Sequence, residues 1–376
     1  MAKTDQGKLR ELILSELTVA VCIDTNIYEQ QQFAFHRGLL AEVPALTRSG
    51  IRLVMPDVVA FEVVNHLRDK LPEGLNDLRK AARLACNYGL TTEAIEQQIP
   101  SGDVDYRQLA SDRLTSYVHR TNALEIQVAK FASLSTVIDR YFNLEAPFES
   151  KKKAEFPDAF ALSALESWAE AEGSFVVVVS DDAGWNRFAE SSKRLLTGVS
   201  LKELLVATQD PDVVLLRAVA ALIRGDGYES IKQRLEDNIS GMDIRADAHS
   251  YHYAEAEVVE VIVKSIDVSD LKAEDLSIIR NEEGRLIVSW EVQVDISVEA
   301  SVSLSVYDSV DKDYVVLGSE SVLRDLTQWF DTLMTLEVSV ESGEPSLKFD
   351  DIELTASHID VDLGEVELDY SDDSDV

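Results

Sequence analysis

The first half of the chain alternates between short apolar runs and segments with helical periodicity. Buried strands are predicted from three apolar, β-branched runs: TVAVCID (18–24), IRLVMP (51–56) and SFVVVVS (174–180). Amphipathic helices are predicted over 57–71 and 156–173, and the second has Pro157 near its start and Gly173 at its end. Strands that alternate with helices favour a parallel sheet with helices on both faces.

A long insertion is predicted between the second and third of these strands. Residues 72–150 are interpreted as mostly helical. Helix breaks are expected near Pro72–Gly74, Pro100–Gly102 and Pro147.

The second half of the chain changes to a period of two. From residue 245 apolar and polar residues alternate, as in RLIVSWEVQVDISVEASVSLSVYD, which predicts an antiparallel sheet in a sandwich or half-barrel. The predicted organisation is an α/β domain over 1–206, a helical connector over 207–244, an acidic β-rich domain over 245–369 and a disordered acidic tail over 370–376.

Charge is distributed unevenly along the chain. The 376 residues carry a formal net charge of −34, and residues 201–376 hold most of it. Such an acidic surface repels nucleic acid, so a nucleic-acid site is expected only in the first half.

Cys22 and Cys86 imply no disulfide framework. Without a secretory segment or an apolar run of membrane-spanning length, the chain is predicted to be soluble and cytoplasmic, with no membrane contact.

Several carboxylates occupy positions where an open parallel sheet would bring them together. Asp24 ends the first predicted strand, and Asp181 and Asp182 end the third. Glu62 is the only charge within VVAFEVV, and Asp158 lies in the first turn of its predicted helix, on the apolar stripe. Carboxyl ends of strands and neighbouring helix starts converge on one crevice. Since several carboxylates repel each other there without a cation, Mg²⁺ or Mn²⁺ is predicted.

Each carboxylate taken alone also fits a purely structural role. Asp158 would complement a helix dipole, and Glu62 would face solvent at the edge of its stripe. Asp24 would be a turn or cap residue, and Asp181 with Asp182 would cap the helix that follows. The combination in this order is less easily accounted for in that way.

Four ordered motifs together resemble the PIN-domain nucleases. The motifs are CIDTNIY, MPDVVAFEVVNHL, EFPDAFALSALESWA and VVVVSDDAGWNRF. The resemblance covers about residues 15–200 and is closest to the PIN-like group called DUF4935. It implies a PIN-like parallel sheet flanked by helices. It also implies acidic residues that hold a divalent metal and hydrolysis of phosphodiester bonds, most often in RNA.

The resemblance also implies a role for individual residues. The carboxylates carried over are Asp24 at the first strand, Glu62 on the helix, Asp158 in the FPDA motif, and Asp182 in a final motif that it shares with Ser180. Asp181 takes the variable place in that motif, as a helper in metal binding or a bystander. Thr25 and Asn26 would orient Asp24 or a bound water.

Substrate contacts are expected from basic residues near these motifs. Lys151, Lys152 and Lys153 directly precede the FPDA motif and would contact backbone phosphates, or else form a solvated charge run. Arg187, Lys193 and Arg194 would extend that basic patch.

The function predicted first is a metal-dependent endoribonuclease, with a role as a toxin or an anti-phage effector. A second hypothesis is a catalytically weak scaffold whose acidic β domain binds a protein partner, and a third is a DNA-cleaving nuclease. The acidic domain itself has three interpretations: a solubility and oligomerisation domain, a docking platform for a basic partner, or a nucleic-acid mimic that shields the site.

Overall fold

The computed structural model describes residues 19–90, 95, 98–100, 104–149, 155–209, 212–282, 284–308, 312–341, 344–356 and 358–367. The chain divides into two compact units, Met1–Gln209 and Asp210–Val376.

The N-terminal unit contains a five-stranded parallel sheet. Its strands are β1 (Val19–Ile23), β2 (Arg52–Pro56), β3 (Leu124–Ile126), β4 (Phe175–Val179) and β5 (Leu195–Leu196), in the spatial order β3-β2-β1-β4-β5. The central strand β1 is buried along its whole length, and β4 is buried at every residue after Phe175. Helices cover both faces of such a sheet, so its strands can be apolar without alternation. The predicted parallel sheet is confirmed.

Ten helices of the described residues accompany this sheet. They are α1 (Thr25–Gln30), α2 (Gly38–Glu42), α3 (Pro44–Arg48), α4 (Asp57–Asn87), α5 (Tyr106–Thr121), α6 (Val128–Phe131), α7 (Leu134–Asn143), α8 (Phe156–Ala171), α9 (Ala183–Ser191) and α10 (Leu201–Ala207). No helix in the described part of the chain is long and apolar enough to cross a membrane.

Two features of the predicted insertion over 72–150 are corrected by the structure. The break expected near Pro72–Gly74 is absent, because α4 continues through Pro72 as far as Asn87. Proline removes one backbone hydrogen bond of a helix, and the turns on either side still form here. The segment also contributes strand β3, which pairs with β2 at the edge of the sheet.

The C-terminal unit combines two helices with two sheets. Helices α11 (Val213–Arg224) and α12 (Tyr228–Ser240) come first. The strands are β6 (Asp243–His249), β7 (Tyr253–Asp267), β8 (Ser277–Glu282), β9 (Arg285–Asp308), β10 (Asp313–Glu341), β11 (Glu344–Leu354) and β12 (His358–Glu365). An antiparallel sheet has the order β11-β10-β9-β7, with β8 also paired to β9, and β12 pairs with β6 in parallel. The predicted antiparallel domain is confirmed.

One core joins the helices and strands of this unit. Every second residue of β9 from Leu286 to Leu304 is buried, as the period of two predicts. Apolar faces of α11 and α12, including Val219 and Leu235, belong to the same core. The helices predicted as a connector over 207–244 therefore lie within the second unit.

Candidate active site

The candidate site lies where β1 and β4 end side by side. Ile23 pairs with Val179, and the Asp24 backbone N–H donates to the Val179 carbonyl at 3.0 Å. The strand order changes direction between β1 and β4, because β2 and β3 lie on one side of β1 and β4 and β5 on the other. Ligands of open parallel sheets bind at such a switch point, beyond the carboxyl ends of the strands.

Asp24 is buried at this point and is held on both of its oxygens. Its Oδ1 accepts the Thr25 backbone N–H at 2.6 Å, and its Oδ2 accepts the Ser180 hydroxyl at 2.5 Å. The Thr25 hydroxyl donates to Glu62 Oε2 at 3.1 Å. Thr25 and Ser180 thus connect the end of β1 to the helix carboxylate and to the end of β4.

Asp158 approaches from α8. It lies in the first turn of that helix, and the indole N–H of the buried Trp185 donates to its Oδ1 at 2.9 Å. Trp185 belongs to α9, so this hydrogen bond fixes the carboxyl between two helices.

The pKa values show that these carboxylates influence one another. Burial raises the pKa of Asp24 from 3.8 to about 6, and the charges of Asp182 and Glu62 add to that effect. Burial also raises the pKa of Asp158 to about 8, helped by a hydrogen bond with the Glu155 side chain and by the charges of Asp24 and Glu62. For Glu62 burial again raises the pKa, and the charge of Glu155 contributes. We call Asp24, Glu62, Asp158 and Asp182 the carboxylate cluster.

Glu155 is an additional acidic residue that the sequence motifs did not single out. It is the N-cap residue of α8, and its side chain shares a hydrogen bond with Asp158 three residues later. Residues three apart at a helix start are neighbours in space, so the EFPD spacing is the signal that points to this contact.

Asp182 and Asp181 have different surroundings. Asp182 is the N-cap of α9, and its Oδ1 accepts the backbone N–H groups of Gly184 at 2.6 Å and Trp185 at 3.0 Å. Asp181 is exposed, and its Oδ2 accepts the Gln30 side-chain amide at 2.7 Å. Asp182 thus combines a capping role with a place in the carboxylate cluster, whereas Asp181 contacts α1.

The two roles of Asp182 can be separated by substitution. We expect Asp182→Ala to lower the free energy of unfolding by about 1 kcal/mol, because alanine cannot cap α9. Asp182→Asn keeps a cap of similar strength, so its unfolding free energy should stay near that of the wild type. Urea denaturation of both variants makes the comparison. Equal destabilisation by the two substitutions would show that the charge of Asp182, and not its cap, stabilises the fold.

The donor chemistry of the carboxylate cluster fits a hard divalent cation. Within the described ranges no three His, Cys, Asp or Glu side chains already form a metal-binding group. Each Asp24 oxygen accepts one hydrogen bond within the protein and keeps a second lone pair, whereas Asp182 Oδ1 accepts two N–H groups. In addition, Asn26 Oδ1 is buried without a hydrogen-bond partner in the described structure. Carboxylate and amide oxygens are the ligands that Mg²⁺ and Mn²⁺ prefer.

The remaining residues predicted for the site fall into three groups. Lys151, Lys152 and Lys153 lie outside the described residues. Arg187 forms an ion pair with Glu149, and Arg194 lies over the Phe175 ring at 5.4 Å. Thr25, Asn26 and Ser180 contact the cluster itself, with the Asn26 amide donating to Ser180 Oγ at 3.4 Å.

A match was found by comparison with known protein families. Residues 21–185 match a family described as PIN domain. That range contains all four members of the carboxylate cluster. No curated protein and no solved structure matches the chain significantly. The closer resemblance to DUF4935 stays a prediction.

Proposed function

We propose that the chain is a metal-dependent endonuclease acting on RNA, on the premise that residues 21–185 match the PIN-domain family, whose domains are in general nucleases. The observation that carries the proposal is the carboxylate cluster at the ends of β1 and β4. A scaffold has no need of several carboxylates whose charges raise each other's pKa values.

In this mechanism the cluster binds and orients, and no side chain attacks the substrate. A divalent cation, when bound, would activate water and offset negative charge at the phosphodiester. Asp24, Glu62 and Asp158 would hold it, with Asp182 contributing negative charge. Ser180 and Thr25 fix the Asp24 and Glu62 carboxylates through the hydrogen bonds described above. Trp185 does the same for Asp158.

The finer features of the proposal rest on the sequence. RNA is favoured over DNA through the family resemblance, and a toxin or anti-phage role in the cytoplasm is proposed on the same ground. The lysines at 151–153 would contact backbone phosphates near the cluster. Asp181 is retained as a candidate metal helper, although its contact with Gln30 favours a bystander role.

Metal-dependent cleavage of labelled RNA tests the function. We expect the full-length protein to cleave single-stranded RNA in the presence of Mn²⁺ or Mg²⁺ and to lose this activity in EDTA. A labelled DNA of the same base sequence tests the DNA-cleaving alternative. Absence of cleavage of both nucleic acids across both metals would contradict the proposal.

Protein binding by the C-terminal unit is a second candidate function, and one observation favours it. Tyr253, Tyr307 and Tyr314 are each about half exposed, and their rings contact each other at centroid distances of 4.7 and 5.4 Å. Exposed tyrosines in a strongly acidic unit suit a basic protein partner. If this is the main function, Asp24→Asn should leave the biological effect of the chain intact.

A further inference from the structure

A glutamate and a histidine form a hydrogen-bonded pair close to the carboxylate cluster. Glu29 lies in α1 and His66 lies in α4, and His66 Nδ1 is 2.7 Å from Glu29 Oε1. An ionised carboxylate has no proton to give, so Nδ1 carries the hydrogen and donates it. Both side chains are partly exposed, at 36% for Glu29 and 45% for His66, so a substrate can reach them.

Two parallel contacts between α1 and α4 fix where this pair lies. The Thr25 hydroxyl of α1 donates to Glu62 of α4. Four residues further along each helix, Glu29 contacts His66. Residues four apart lie on the same face of a helix, about 6 Å apart along its axis. His66 therefore lies one helical turn from Glu62 on the same face of α4, and both side chains are directed towards α1.

The electrostatics of Glu62 indicate the same proximity. Burial raises the pKa of Glu62, and the hydrogen bond from Thr25 and the positive charge of His66 oppose that increase. The imidazole is thus close enough for its charge to act on a member of the carboxylate cluster. The Glu29–His66 pair borders the cluster on the side where α1 meets α4.

The second ring nitrogen of His66 is available to a substrate. Within the described residues, Nε2 has no hydrogen-bond partner, whereas Nδ1 is held by Glu29. A carboxylate that holds one imidazole nitrogen fixes the orientation of the ring and the nitrogen that keeps its proton. When the ring is protonated, the pair therefore presents Nε2–H at the edge of the cluster.

We propose that His66 is the general acid of the reaction and that Glu29 positions it, an inference that rests on the proposed nuclease function. As the water oxygen bonds to phosphorus, the bond from phosphorus to the leaving oxygen breaks and its electron pair stays on that oxygen. The Nε2 proton of His66 passes to the leaving oxygen and the ring becomes neutral. The proton of the attacking water is released to solvent, and a proton from solvent restores the imidazolium.

A proton donor would supply what ionised carboxylates cannot. Ionised carboxylates only accept hydrogen bonds, and an alkoxide is a strongly basic leaving group that departs more easily when it is protonated. A phosphodiester held near Glu62 would have its leaving oxygen on the order of one helical turn from the His66 ring. The purely structural alternative is an exposed ion pair that joins α1 to α4 and adds little stability.

Substitution of His66 in the full-length protein tests the proposal. His66→Asn keeps an amide N–H near the position of Nδ1, so the contact with Glu29 can still form, but it removes Nε2. We expect RNA cleavage in Mn²⁺ to fall on the order of 10²-fold, with an unchanged melting temperature. His119→Asn is the matched control, because His119 is an exposed histidine in the last turn of α5. It should cleave RNA at the wild-type rate.

A substrate with a better leaving group distinguishes a general acid from other roles. The probe is the same RNA with sulfur in place of one bridging oxygen, prepared with the sulfur on either side of the phosphorus. A thiolate is a much weaker base than an alkoxide, so it departs without a proton. When sulfur is the leaving atom, His66→Asn should cleave within about threefold of the wild-type rate. An equal loss with sulfur and with oxygen would overturn the acid role.

Glu29→Gln tests the positioning role. Glutamine can still accept the Nδ1 hydrogen but carries no charge, so we expect a loss of cleavage on the order of tenfold. The sulfur probe should remove this loss too, and the double variant should be no slower than His66→Asn. A loss that persists with sulfur would show that Glu29 does not act through proton transfer.

Two binding measurements separate the acid from a metal ligand and from a phosphate contact. The affinity of His66→Asn for Mn²⁺ without RNA, and for intact RNA in Ca²⁺, should stay within about twofold of the wild type, because a general acid acts in the transition state. A clear loss of either affinity would overturn the proposal. Wild-type cleavage by His66→Asn would also overturn it and leave the nuclease proposal intact, whereas a wild type that cleaves no nucleic acid contradicts both.

Discussion

Asp24→Asn should abolish cleavage, with a loss on the order of 10³-fold, while the metal-free protein keeps or gains stability. The loss follows because a metal in such a site supplies several kcal/mol of transition-state stabilisation. Stability is retained because asparagine still caps α1 through the Thr25 backbone N–H. Asparagine also removes a buried carboxylate whose ionisation is opposed by burial and by the charges of Asp182 and Glu62. Cleavage rates and melting temperatures in EDTA measure the two effects.

Asp181→Asn is the matched control for this experiment. It makes the same chemical change one residue from Asp182, at an exposed carboxylate whose described contact is with Gln30. We expect nearly wild-type cleavage from this variant. A clear fall in the melting temperature of metal-free Asp24→Asn would show that Asp24 is a structural residue. Equal losses of cleavage in both variants would show that Asp181 belongs to the metal site.

The parts of the fold that could be predicted are those with strong local patterns. Strands β1, β2 and β4 are apolar on both faces, and a short β-branched run such as FVVVV is typical of a strand that helices cover on both sides. The position of Asp24 and Asp182 follows directly, because residues after parallel strands meet at one edge. The long alternation over β9 similarly predicts the C-terminal sheet.

The features that could not be predicted depend on contacts between distant segments. Strand β3 has only the residues Leu124–Ile126, which is too short for any period to appear, and its strand conformation comes from pairing with β2. The hydrogen bond from the Trp185 indole to Asp158 joins residues 27 positions apart in sequence, so no local sequence pattern predicts it. Helix α4 similarly continues through Pro72, although proline locally favours a helix break. Tertiary and helical contacts override that local preference here.

Without metal, the protein should lose stability as the pH rises from about 5 to about 8. Burial, the hydrogen bond with Glu155 and the charges of Asp24 and Glu62 raise the pKa of Asp158 from 3.8 to about 8, and burial first of all raises that of Asp24 to about 6. In this range the folded protein keeps protons that the unfolded chain has released. The contribution of these two carboxyls to stability is therefore greatest below pH 4. It is lost as the pH rises through their pKa values in the folded protein. Thermal melts in EDTA measure the slope.

Asp158→Asn and added metal should both change this slope. Asparagine does not ionise, so the variant should be more stable than the wild type at pH 8 and flatter between pH 5 and pH 8. Mn²⁺ should raise the melting temperature more at pH 8 than at pH 5, because metal and proton compete for the same carboxylates. The alternative role of Asp158, complementing the dipole of α8, predicts a pKa that is lowered instead of raised. Asp158 would then add no slope between pH 5 and pH 8, where only the contribution of Asp24 would remain, and Asp158→Asn would be destabilising. A destabilised Asp158→Asn with the same pH slope as the wild type would therefore assign Asp158 to the helix and remove it from the metal site.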